Sequence, residues 1–223
     1  MECTMNQSPA DMTLDELRPV LARVLPSHAG FDGWGDKAVE SAATELGIDP
    51  SVARLVFGGD RIDMIDAWFQ TIDSDMLVAL PPEKLAQMKV RERITALVEA
   101  RLALVLPHRE SLRRALAILA FPANASRAVK FGWRSADVMW RAAGDNATDY
   151  NHYTKRAILG SVYAATLAVF LNDDSDDLSE TRAFLGRRID GVMRFEKAKA
   201  QISNLRPPFS PARFIGRLRY SAR

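Results

Sequence analysis

An all-α fold is predicted for this chain, and three observations predict it. Apolar residues recur at i, i+3 and i+4 along most of its 223 residues. Runs that alternate polar with β-branched residues, the mark of strands, are absent. Proline and glycine fall where they cut the chain into helix-sized pieces. The predicted architecture is an N-terminal helix-turn-helix unit of three short helices, residues 13–66, followed by a bundle of longer helices, residues 67–203. Residues 1–12 are expected to be a disordered N-terminus, and 204–223 a linker and a terminal amphipathic helix.

Each element has a local reason. Leu14, Leu17, Leu21 and Val24 form a first stripe, expected to end at Pro26. Asp36 to Leu46 buries Ala38, Val39, Ala42 and Ala43, with Gly47 as its stop. Asp49 caps a short helix that has Pro50 at its first position and is expected to turn Val52, Leu55 and Val56 inward. Gly58-Gly59 breaks it, and a fourth helix starts near Arg61. Beyond Pro81-Pro82 the expected helices are 83–106, 108–121, 124–143, 148–171 and 177–203.

Charge is uneven. Residues 13–66 hold ten acidic and five basic residues, net −5, while 186–223 hold ten basic and two acidic, net +8. Phosphates are neutralised by Lys and Arg, so an acidic helix-turn-helix whose second helix offers only Arg54 is expected not to bind nucleic acid. The lone Cys3 excludes a disulfide framework. The first residues lack a basic n-region and an apolar h-region, and they are acidic, so neither a secretory signal nor a transit peptide is read there. The expected location is the cytoplasm, peripherally on the inner membrane of a bacterial cell.

No catalytic set presents itself, and neither metal nor cofactor is expected. His28, His108 and His152 stand outside metal-ligand spacings. The letters G-x-G-x-x-A at Gly33 follow a helix, where a dinucleotide turn needs a strand. The acidic run 173–177 lacks the glycine and glutamate of a calcium loop and reads as carboxylates at a helix N-terminus.

The apolar features say more. Ala157 to Leu171 is fifteen residues without a charge, too short to span a bilayer and expected to be buried almost all round. Two readings stay open: a plain core, or an elongated apolar slot whose candidate lining is Trp68, Leu97, Leu116, Leu119, Trp133, Trp140, Tyr163 and Leu167. Near the C-terminus, Ser210 and Pro211 can start a helix in which Phe214, Ile215 and Leu218 form an apolar stripe flanked by Arg213 and Arg217. With Phe209 it suits an anionic membrane surface, although docking on the parent fold or a dimer partner would use the same stripe.

The blocks AGDNATD (143–149), YTKRAIL (153–159) and Val162-Tyr163, then Asp173-x-Ser175, FLxRRI (184–189) and VMRFEK (192–197), closely resemble the Coq-nine family. These are accessory proteins of ubiquinone biosynthesis with a TetR-like fold. Gly33-Trp34 and Ala42-Ala43-x-x-Leu46-Gly47 fit as well, and the resemblance covers about residues 13–201. It implies a non-enzymatic homodimer, formed through the last two bundle helices, that binds an isoprenoid lipid or ubiquinone precursor in its helical domain. It further implies a partner, the di-iron demethoxyquinone hydroxylase of the pathway, and a C-terminal helix on the membrane. The family's partner-contacting surface matches Met139, Asp149, His152, Tyr153 and Arg156. His152 stands where relatives often have Trp, keeping a flat ring with less apolar area. Two rivals are a TetR-type ligand-responsive regulator and a pure adaptor of the hydroxylase without a lipid role.

Overall fold

The computed structural model describes residues 12–145 and 150–205. They form helices α1 (Leu14–Asp32), α2 (Asp36–Leu46), α3 (Pro50–Phe57), α4 (Arg61–Ala79), α5 (Pro82–Ala86), α6 (Val90–Val105), α7 (Arg109–Leu119), α8 (Ala125–Ala142), α9 (Tyr150–Phe170) and α10 (Ser179–Leu205). No strand occurs among the described residues. None of their helices is long and apolar enough to cross a membrane.

The N-terminal unit packs α2 and α3 against α1. Alanines at 38, 42 and 43 let α2 approach closely. Gly47 takes the left-handed conformation (φ +69°) that turns the chain toward α3, and the Asp49 carboxylate caps α3 by accepting the Ser51 N–H at 2.7 Å. Two local expectations are corrected. α1 runs through Pro26 to Asp32, because Leu25, Pro26 and Ala29 are buried together and the Ser111 hydroxyl donates to the Pro26 carbonyl at 2.5 Å. That packing offsets a proline cost of about 3 kcal/mol. In α3, Ala53 and Phe57 face inward, whereas Val52 and Leu55 are 37% and 68% exposed.

The helix expected over 83–106 is instead two, α5 and α6. Lys89 is extended between them and donates its N–H to the Glu92 carboxylate at 2.8 Å. The last helix begins at Ser179, two residues later than expected, since Asp177 and Leu178 both have positive φ. Asp173, fully buried, receives the N–H and hydroxyl of Thr181 at 2.8 and 2.6 Å and those of Ser175 at 3.0 and 2.5 Å. It thereby fixes how the chain enters α10.

One continuous core joins the N-terminal unit to the bundle. The expected boundary at 66/67 falls inside α4. The Trp34 indole donates to the Ser111 carbonyl at 3.0 Å and stacks, tilted, on Trp68 with centroids 5.3 Å apart. Aspartates along α4 are gripped from other helices. Asp63 pairs with Arg18 at 2.6 Å and Asp75 with Arg23 at 2.7 Å, both arginines from α1. Asp66 pairs with Arg134 of α8 at 2.5 Å, and Asp60, which caps α4, pairs with Arg127 of α8 at 2.7 Å. Asp73 meets Arg101 of α6 in the interior.

Candidate functional site

The A-G-D turn that ends α8 is built for one job. Gly144 has φ +90°, and a Cβ there would lie 3.2 Å from Nη1 of Arg93, which donates to the Ala143 carbonyl at 2.9 Å. The turn returns the Asp145 N–H to the Trp140 carbonyl at 2.9 Å and aims the Asp145 carboxylate at α9. There it accepts Lys155 Nζ at 2.6 Å and Arg156 Nη1 at 3.2 Å. Arg156 also donates Nε to Asp137 of α8 at 2.5 Å and Nη1 to the His152 carbonyl at 3.0 Å. Burial pushes the Asp145 and Asp137 carboxyls up. The hydrogen bond from Lys155 to Asp145 and that from Arg156 to Asp137 prevail, and both acids lie below the ordinary carboxylate range. Lys155 and Arg156 of the YTKR block are thus bound to the aspartate of the AGD block in one ionic lattice.

That lattice ties the first turns of α9 to α8, beside an aromatic surface. The ring centroids of Trp133 lie 6.4 Å from His152 and 6.0 Å from Tyr153, and those of His152 and Tyr153 are 5.1 Å apart. Tyr153 is 61% exposed. Of the partner surface expected from the resemblance, Met139 is buried in the core and Arg156 in the lattice. Asp149 lies outside the described residues, as do Phe209, Arg213, Phe214, Ile215, Arg217 and Leu218 of the expected membrane helix.

On the far side of Trp140 an apolar cleft opens between α6, α8, α9 and α10. It is partly open to solvent, and its cavity volume is about 60 Å³. Ile94, Leu159, Val162 and Ile189 form the buried floor, and Val90, Arg91 and Met193 the rim. Trp140 forms one wall, donating its indole N–H to the Lys155 carbonyl at 2.9 Å while the Lys155 ammonium lies 5.4 Å from its ring centroid. Of the eight expected lining residues, Trp140 alone lines this cleft. Trp68, Leu97, Leu119, Tyr163 and Leu167 are packed into the core, and Leu116 and Trp133 are half-buried elsewhere. Where a slot through the bundle was expected, Arg101 lies buried, ion-paired to Asp73, donating to Ser135 Oγ at 3.0 Å and stacked 5.0 Å from the Tyr163 ring. Ile94, Ile189 and Met193 were missed because each reads as an ordinary apolar position of an amphipathic helix. Only the juxtaposition of four helices turns them into a lining.

The aromatic surface and all of the cleft but its α6 side fall in one stretch of sequence. Residues 125–196 match the family model COQ9. The chain resembles the COQ9 proteins. It is 32% identical over 187 residues to the mitochondrial ubiquinone biosynthesis protein COQ9 of Rattus norvegicus, an alignment covering 81% of this chain and 58% of that protein. The Homo sapiens COQ9 gives 32% over 187 residues, 81% of this chain and 57% of its own length. This chain therefore spans less than three fifths of these COQ9 relatives. The Asp145–Lys155–Arg156 lattice, the aromatic surface, Trp140 and Asp173 all lie within the COQ9 match, whereas the α6 side of the cleft does not. In overall shape the chain is TetR-like. A TetR transcriptional regulator from Nitrosomonas europaea superposes with a TM-score of 0.62 at 23% identity, over 78% of this chain and 96% of that one.

Proposed function

We propose that this chain is a non-catalytic lipid-binding accessory protein of ubiquinone biosynthesis. It takes part of the isoprenoid tail of a quinone precursor into the cleft and presents the precursor to the di-iron hydroxylase at the Trp133–His152–Tyr153 surface. The observation that carries this reading is the adjacency of cleft and surface. Trp140 walls the cleft and is hydrogen-bonded to Lys155, two residues from the exposed Tyr153. The COQ9 relatives are named for this pathway.

The energetics suit a presenter. Burying a five-carbon isoprene unit away from water is worth about 4 kcal/mol, at roughly 0.8 kcal/mol per carbon. A bilayer offers the same gain, so exchange between membrane and cleft is close to neutral and its direction is set by the partner. In this reading the basic C-terminal stretch holds the protein on the inner membrane from the cytoplasmic side, and α9 and α10 pair with a second copy.

Mass spectrometry of lipids extracted from the purified protein tests the proposal. A polyprenyl quinone or precursor is expected. A protein that is consistently lipid-free and ignores liposomes would overturn it. The regulator reading is disfavoured by the apolar exposed face of α3, Val52 and Leu55, and by the engagement of Arg54 with Glu40 at 3.5 Å. Tight DNA binding in a gel-shift assay at low salt would reinstate it.

A further inference from the structure

The cleft is too small for what it is proposed to hold. Its 60 Å³ is less than half of the roughly 150 Å³ that admits a benzene ring in an engineered core. A quinone ring or an isoprene unit is fully housed only if a wall moves.

The walls are not held alike. α8 and α9 are joined by the buried Arg156–Asp137 pair and by the close approach of Gly160 to the Gly132 carbonyl. Across the rim of the cleft, α10 is tied to α6 by the Arg91–Asp190 pair at 2.5 Å, with Arg91 half-exposed and Asp190 partly so. Beside that pair, Val90 and Met193 are 52% and 51% exposed. Between Thr181 and Arg194, α10 carries Arg182, Arg187, Arg188 and Arg194, all exposed, and Asp190 is its one acid.

We propose that this rim is a contact surface for an anionic membrane. There a lipid headgroup phosphate takes Arg91 from Asp190, α10 parts from α6, and the cleft opens to the bilayer. The proposal rests on the lipid-binding reading and says where the lipid enters. An exposed ion pair is worth about 0–1 kcal/mol. A cation near an anionic bilayer gains about 1 kcal/mol. Arg91 therefore loses nothing by the exchange, and Arg194, exposed one turn beyond Asp190, adds positive charge beside it. Val90 and Met193, already uncovered, supply apolar contact with the headgroup region.

The test uses the full chain and vesicles with brominated acyl chains, which quench a nearby indole. Trp140 emission is read as the difference between the wild type and Trp140→Phe. Vesicles of phosphatidylcholine mixed with phosphatidylglycerol are expected to quench it, and vesicles of phosphatidylcholine alone are not. In Asp190→Asn, which lacks the tie, both are expected to quench. Replacing the half-exposed Val90 and Met193 together by Asn and Gln should reduce quenching without changing the far-ultraviolet circular dichroism. The proposal is overturned if the mixed vesicles bind the protein but leave Trp140 unquenched, if they do not bind it, or if Asp190→Asn behaves as the wild type. Lipid in extracts of a protein with unquenched Trp140 would defeat this entry route and leave lipid binding standing. Quenching of a protein whose extracts are lipid-free would do the reverse.

Discussion

Arg156 Nη1 of α9 lies 3.2 Å from the Asp145 carboxylate at the end of α8, and both side chains are buried. Removing Asp145 takes from the buried Arg156 one of its two carboxylates and leaves it Asp137. Asp145→Ala is therefore expected to lower stability by about 1–3 kcal/mol, read as a reduced urea midpoint. Because the same lattice ties the first turns of α9 beside the aromatic surface, binding to the proposed hydroxylase partner should weaken as well, even at temperatures where the variant stays folded.

Tyr153 gives the complementary case. It is exposed and touches Trp133 and His152 only through ring faces and edges. Tyr153→Ala should change stability by no more than about 0.5 kcal/mol. Capture of the hydroxylase in a pull-down should be lost, while lipid in the extracts is retained. Unchanged capture would remove this surface from the proposal.

The buried Arg101–Asp73 pair is expected to be costly to break and cheap to replace. Arg101→Met alone should cost about 3 kcal/mol, since the buried Asp73 keeps only the looser contact with Arg134 at 3.5 Å. The double variant Asp73→Leu/Arg101→Met should recover most of that loss. A double-mutant cycle by denaturant titration measures the coupling.

Gly160 lies mid-helix in α9, where a Cβ would meet the Gly132 carbonyl oxygen at 3.8 Å and Ala136 Cβ at 4.0 Å, ordinary contact distances. Gly160→Ala should stabilise by about 0.5–1 kcal/mol and raise the Tm. A fall in Tm would show that α8 and α9 lie closer than these distances allow.

Asp173 carries a pH signature. Burial pushes its carboxyl up, but hydrogen bonds from Ser175 and Thr181 prevail and hold it well below the usual carboxylate range. The folded state thus binds its proton less readily than the unfolded chain. Its contribution is complete above the unfolded value of about 3.9 and is lost as pH falls toward the lower folded value. Asp173→Ala should cost about 1–2 kcal/mol at neutral pH. The gap to the wild type should narrow below about pH 4 in acid denaturation.

Much of the fold was legible because local chemistry and tertiary structure agree. Gly47, Asp49-Pro50 and Asp60 place α2, α3 and the start of α4 where the sequence predicts them. The misreadings arose where long-range packing outweighs a local rule. Pro26 is carried inside α1 by Ser111 of α7, eighty-five positions away. Lys89 starts α6 without a capping side chain of the usual kind. The site was half legible. Tyr153 and His152 are an exposed aromatic pair that the family resemblance marks, but Met139 and Arg156 share their helix faces with the interior, and sequence spacing does not reveal which. Core and slot stayed indistinguishable in the sequence because long apolar helices with tryptophans describe a filled interior equally well. The charged residues that fill this one, Arg101 and Asp73, read from sequence as surface positions.

The aspartates of α4 have a consequence for how a bound guest is sensed. In a scaffold where the linking helix is free to tilt, filling the bundle swings the N-terminal trio. Here α4 is tied at Asp60, Asp63, Asp66, Asp73 and Asp75 to arginines of α1, α6 and α8. Five ties resist such a tilt together, even where each alone is weak. If the cleft takes a guest as proposed, its filling is expected to be felt at the neighbouring aromatic face, through Trp140 and Lys155, before it is felt at α3.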